Sequence, residues 1–133
     1  MSLYVDSSAW MKRYVTEPDS DVAERLLAGD PARLSGRHAI VEVRRNLARL
    51  LSEPDAAAAR AAFARDLETT AIVELDAVTC ESAAAIAEVT GVRTLDALHL
   101  AAARRVGESV ALLTFDLRQA QAARTLGLTV LGA

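Results

Sequence analysis

Short apolar runs alternate with longer amphipathic stretches along the whole chain. Leu3-Tyr4-Val5 is the first run, and it stops at Asp6-Ser7-Ser8. Arg33-Leu34-Ser35, Ala71–Leu75, Ser109–Thr114 and Leu128–Leu131 follow, with SVALLT at 109–114 the clearest buried strand. Between them the periodicity is helical. One segment runs through Val15 to the break at Pro18, and another opens at Asp19-Ser20-Asp21 and ends at Gly29. His38 to Ser52 carries Ile40, Val43, Leu47 and Leu50 on one face, and Asp55–Thr69 is an alanine-rich helix. Val78–Val89 is closed by Gly91, and Leu117–Leu126 is the last helix. Leu95–Val106 is almost wholly apolar before Arg104, so it is expected to be buried. Strands alternating with helices predict one α/β domain over residues 1–133, with a mainly parallel sheet covered on both faces. Ligands of such sheets bind beyond the carboxyl ends of the strands.

Composition sharpens this only in places. The 133 residues include 28 Ala and 18 Leu but few aromatics, which favours helices. With one cysteine, Cys80, there is no intramolecular disulfide and no cysteine-based zinc site. The start lacks the features of a signal peptide, and no stretch reaches membrane-spanning length, so a cytoplasmic protein is expected. A formal net charge of −3 argues against holding nucleic acid by bulk charge, while leaving room for a local basic groove.

The candidate chemistry lies in acids placed just after apolar runs or among apolar neighbours. Asp6 follows LYV and Asp116 follows LLTF, both at strand-to-helix junctions. Asp96 lies in TLDALHLAAA and Glu42 in AIVEVRRNL, each early in its helix. Capping accounts equally well for Asp6 and Asp116 taken singly, and it accounts for Asp76 after the IVEL run. Asp96 suits a helix dipole, and Glu42 shares a helix face with His38, Arg45, Asn46 and Arg49 as an ordinary ion pair would. If the four converge, their repulsion calls for a divalent cation, and hard Mg²⁺ or Mn²⁺ suits an all-carboxylate shell.

Together, YVDSSAWMKRY, IVEVRR, RTLDALHLAAA and LLTFD resemble the PIN domain, and specifically the VapC toxins of bacterial toxin–antitoxin pairs, in the family's order and spacing. The resemblance implies a three-layer α/β/α sandwich whose five-stranded parallel sheet has the order 3-2-1-4-5. It implies an endoribonuclease dependent on one or two Mg²⁺ or Mn²⁺ ions. Asp6, Glu42, Asp96 and Asp116 match the family's catalytic and metal-binding acids, and Ser8 and Thr114 match hydroxyl positions that support the metal shell. The implied partners are an RNA substrate, a second copy of the chain in a homodimer, and a VapB-type antitoxin. Two ions would take the formal charge from −3 to +1.

Basic groups must hold RNA beside such a site, and Arg93 is the first candidate, followed by Lys12, Arg13, Arg37 and Arg45. His99, three residues after Asp96, reads as a packed, hydrogen-bonded histidine, and His38 as a surface residue. Trp10 and Tyr14, four apart, read as core or as a protein contact. Three other functions compete. A non-toxin nuclease of the same fold is the nearest. A phosphoacceptor receiver domain would want an acidic pair before its first helix and a late lysine, whereas the only lysine is Lys12. In a non-catalytic binding module, all four acids would be caps.

Overall fold

The hydrophobic alternation in the strands dictates two buried faces, and the helices divide between them. A computed structural model describes residues 2–29, 32–107 and 109–133. The elements are β1 (Ser2–Val5), α1 (Ser7–Tyr14), α2 (Ser20–Gly29), β2 (Arg33–Gly36), α3 (Ala39–Leu50), α4 (Asp55–Glu68), β3 (Thr70–Val73), α5 (Ala77–Thr90), α6 (Thr94–Val106), β4 (Val110–Thr114), α7 (Leu117–Thr125) and β5 (Thr129–Gly132). All four strand pairings are parallel, and the order is β3-β2-β1-β4-β5. This is the expected order, and it differs from the 2-1-3-4-5 order of a receiver domain.

Along β1 and β4 successive side chains point to opposite faces. Leu3, Val5, Ala111 and Leu113 join α1–α4 in one core, whereas Tyr4, Val110 and Leu112 join α5–α7 in the other. The sheet is therefore the middle of three layers. Trp10 and Phe63 are fully buried in the first core, where Trp10 stacks on Tyr14 and meets Phe63 edge-on. The core reading of that pair holds. In the second core α6 buries Ala97 and His99 to Ala103, as its composition requires.

Element ends follow local chemistry. Asp76 caps α5 by accepting from the Thr79 N–H at 3.0 Å, and Gly91, at φ +74°, ends that helix in the left-handed region that glycine tolerates best. The third strand ends at Val73 rather than Leu75, because its partner β2 offers no residue beyond Gly36.

Candidate functional site

The connection after β1 runs to β2 on one side and the connection after β4 runs to β5 on the other, so a crevice opens between the carboxyl ends of β1 and β4. Asp6 stands directly after β1. Its backbone N–H donates to the Leu113 carbonyl at 3.2 Å, which carries the β1–β4 ladder one residue further and sets Asp6 beside Thr114. The side chain is 3 % exposed and saturated. Oδ1 accepts from Ser8 Oγ at 2.7 Å and the Ala9 N–H at 3.0 Å; Oδ2 accepts from Thr114 Oγ1 at 2.6 Å and Gln119 Nε2 at 3.1 Å. Burial pushes this carboxyl above its ordinary pKa, and His99 and the hydroxyl and amide donors only partly offset that push.

Asp116 approaches from the neighbouring strand end. Its N–H donates to Thr114 Oγ1 at 3.1 Å, and its Oδ1 caps α7 by accepting from the N–H groups of Arg118 and Gln119. Capping and site chemistry therefore do not compete. The cap occupies one oxygen of Asp116, and the other has no partner among the described residues. Ser8 and Thr114 tie the two strand ends together: Ser8 Oγ accepts from the Phe115 N–H at 3.0 Å and lies 3.4 Å from Thr114 Oγ1.

Glu42 comes from the first turn of α3, but it forms none of the arginine pairs its helix face offers. Its Oε1 accepts from Ser7 Oγ at 2.8 Å and from His99 Nε2 at 2.7 Å. The tautomer of His99 follows from Glu42. A carboxylate oxygen only accepts, so Nε2 carries the imidazole proton, and Nδ1 accepts from Tyr4 Oη at 2.7 Å while that hydroxyl accepts from the Gly36 N–H at 2.9 Å. His99 is thus buried and hydrogen-bonded at both nitrogens, as the sequence led us to expect. Burial raises the Glu42 pKa, but the hydrogen bond donated by His99, then the Ser7 hydroxyl, outweigh it and hold the carboxyl below its ordinary value.

His38 corrects the sequence reading. It is 8 % exposed rather than on the surface, because its ring turns inward from the start of α3 and lies 3.9 Å from the His99 ring, centroid to centroid. Its Nε2 donates to the Leu95 carbonyl at 3.3 Å, and burial followed by the His99 neighbour pushes its pKa down to about 4. Among the described residues, His38, Glu42 and His99 form the one trio of potential ligands whose atoms all lie within 4.8 Å. The four carboxylates are spread more widely around the crevice.

Asp96 enters from the first turn of α6. Burial raises its pKa, the charge of Asp116 raises it further, and Arg93, whose Nε is 3.5 Å away, draws it back. This mutual repulsion brings Asp96 and Asp116 into one electrostatic unit. The other basic candidates divide. Lys12 lines a cleft with Ser8 and Asp116, although its ammonium donates to the Pro18 carbonyl and lies 5.1 Å above the Phe115 ring. Arg13 is bound to Asp66 and Glu24, and Arg37 to Glu74, so both are committed elsewhere. Arg45 contacts only the adjacent Asn46 among the described residues, at 3.5 Å.

Tyr4, Ser7, Gly36 and Gln119 escaped the sequence reading. Nothing in one sequence distinguishes Tyr4 from any core aromatic, or Gln119 from a solvated helix position. Gly36 has a strict steric role: a Cβ there would lie 2.7 Å from Tyr4 Oη and 2.7 Å from His38 Cε1. We expect Gly36→Ala to cost about 1–3 kcal/mol in urea denaturation, the usual range for overpacking a filled interior.

The family model for the PIN domain matches residues 3–125. No curated protein matches the chain by sequence. Solved structures do match it in shape. VapC20 of Mycobacterium tuberculosis, described as a sarcin-ricin loop cleaving toxin, is 23% identical with a TM-score of 0.75, covering 91% of this chain and 95% of its own. FitAcB of Neisseria gonorrhoeae is 18% identical with a TM-score of 0.76, covering 96% and 95%. The DNA-bound VapBC of Salmonella typhimurium is 13% identical with a TM-score of 0.73, covering 98% and 97%. The matched span takes in all four acids and the hydroxyl pair, and on that ground the chain belongs to the PIN-domain family.

Proposed function

We propose that residues 1–133 form a single PIN domain acting as a VapC-type endoribonuclease toxin, with Asp6, Glu42, Asp96 and Asp116 as its metal-holding acids. The observation that carries this reading is the convergence of buried or half-buried carboxylates on one sheet edge. Asp6 is buried, and Asp96 is raised by the charge of Asp116.

The residues suit Mg²⁺ or Mn²⁺. Glu42 Oε2, Asp96 Oδ1 and Asp116 Oδ2 have no hydrogen-bond partner among the described residues, and these hard oxygens match such cations. Asp6 is saturated, but one of its donors is replaceable. The Gln119 amide that donates to it keeps its own Oε1 buried without a partner, an arrangement that costs free energy. Held by these residues, such a cation would supply Lewis acidity, which lowers the pKa of water and offsets negative charge on the phosphodiester oxygens. The chain's residues do the positioning. Ser8 and Thr114 fix the orientation of Asp6, and His99 and Ser7 hold Glu42 ionised. Arg93 offsets part of the charge at Asp96 and offers a donor to a phosphate.

The toxin role, with a VapB-type antitoxin and a homodimer as partners, is supported by the shape match to VapC20 and to structures of FitAcB and VapBC. A non-toxin nuclease would use the same site. The test is cleavage of total cellular RNA by the purified protein. Cutting is expected with Mg²⁺ or Mn²⁺ and should disappear in excess EDTA, then return on adding the cation back. Robust cleavage in chelator would overturn the metal reading.

A further inference from the structure

A cleft of about 470 Å³ opens beside Asp96, between the 89–93 turn and the outer face of α7. We propose that this cleft is a nucleotide subsite, in which Arg118 holds an RNA phosphate next to the scissile one and Gln121 and Thr125 meet the edge of its base. The inference rests on the ribonuclease reading and adds to it where the strand runs.

Arg118, Gln121, Ala122 and Thr125 recur at three- and four-residue spacing, so they share one face of α7 and form one wall. Arg93 and Asp96 belong to the opposite side. Asp96 therefore borders both the cleft and the acid cluster, and a strand leaving the cluster past Asp96 enters the cleft directly. The chemistry suits a nucleotide: two guanidiniums for phosphate, an amide and a hydroxyl for a base edge, and Val89 and Val92 for the base face or sugar.

Of the two arginines that line the cleft, Arg93 is paired with Asp96, whereas the Arg118 guanidinium has no partner among the described residues. It stands in the first turn of α7, a helix with no acid in that turn, where positive charge opposes the helix dipole. A position that is unfavourable for folding yet sits two residues from Asp116 is expected where function requires it.

The experiment uses fluorescence anisotropy of a short fluorescein-labelled single-stranded RNA with the full chain and Mg²⁺, read by stopped flow before turnover, with KCl stepped from about 50 to about 200 mM. Arg118→Gln should weaken binding about fivefold to tenfold and reduce the slope of log affinity against log salt by about 0.7, the value for one lost phosphate contact on a single strand. Gln121→Ala should leave that slope unchanged and alter which base is preferred beside the cut. Arg65→Gln, on the far helix α4, removes the same charge and is the control. Both arginines are exposed, so both variants should stay folded, with Arg118→Gln melting at or above the parent. Equal, small losses for Arg118→Gln and Arg65→Gln would overturn the subsite. So would unchanged RNA affinity in Arg118→Gln with weakened binding of a polyglutamate peptide, which would assign the cleft to an acidic protein partner. If the parent chain binds no RNA at all, the ribonuclease reading itself falls, and the subsite with it.

Discussion

Replacing Asp6 with Asn is expected to lower RNA cleavage by about 10²–10³-fold, the range for losing one charge-stabilising group in an active site, while the protein becomes no less stable. The two halves of this result have separate causes. Asn caps a helix about as well as Asp, so α1 keeps its start. The new amide faces the donors on Oδ2, but Gln119 can turn its side chain over and present the buried Oε1 that now lacks a partner. Thr114 Oγ1 can redirect its proton toward Ser8 Oγ, 3.4 Å away.

Charge adds to this. Burial raises the pKa of Asp6 in the folded state, so the native protein holds that proton to higher pH than the unfolded chain does. Stability from this group is therefore present below its unfolded pKa and lost as pH rises through the folded value. Without added metal, the Asn variant should melt at or above the parent's temperature at neutral pH, and the gap should close as pH falls toward the carboxylate range. Mg²⁺ or Mn²⁺ should then raise the melting temperature of the parent and leave the variant unmoved, since binding to the native state alone stabilises it. Equal metal stabilisation of both proteins would remove Asp6 from the metal site. Unchanged cleavage in the Asn variant would reduce Asp6 to a cap, since Asn caps as well as Asp does.

How much of this was legible in the sequence depended on range. Strands, helices and their caps are local: LYV, SVALLT and the Gly91 stop could be read because the residues that decide them are neighbours. Asp6, Glu42, Asp96 and Asp116 were legible as acids in apolar settings, and their relation to one another came from resemblance. The partners of these acids were not legible. Glu42 looks like a surface acid beside arginines, but its hydrogen bonds come from Ser7 and His99, 35 and 57 residues away. His38 looks exposed because its helix neighbours are polar, and only tertiary packing shows the inward turn of its ring. Arg118 was passed over because a lone arginine after a cap looks like solvated surface until the cleft beside it is seen.

That long-range part of the site yields the second large effect. Replacing His99 with Ala should cost about 3–5 kcal/mol in chemical denaturation, as expected for breaking a buried polar pair and emptying its space. The loss has three sources: a void beside the His38 ring, a Tyr4 hydroxyl without its acceptor, and a Glu42 carboxylate without its strongest donor. Two subtler variants separate stability from positioning. The Oδ1 of Asn falls near the place of imidazole Nδ1, so His99→Asn keeps an acceptor for Tyr4 and loses the donor to Glu42. The Nε2 of Gln falls near imidazole Nε2, so His99→Gln keeps that donor and loses the acceptor. Each leaves one buried group unpaired, so each should lose about 1–3 kcal/mol. Their metal binding should nevertheless differ. If His99 acts through Glu42, titration with Mn²⁺ should show weaker binding in the Asn variant, in which Glu42 keeps only its Ser7 donor, and near-parental binding in the Gln variant. Equal affinities would mean that His99 only fills and supports the core. A parent imidazole protonated on Nδ1 rather than Nε2 by nitrogen NMR would reverse the direction of the Tyr4–His99–Glu42 chain and sink the positioning role.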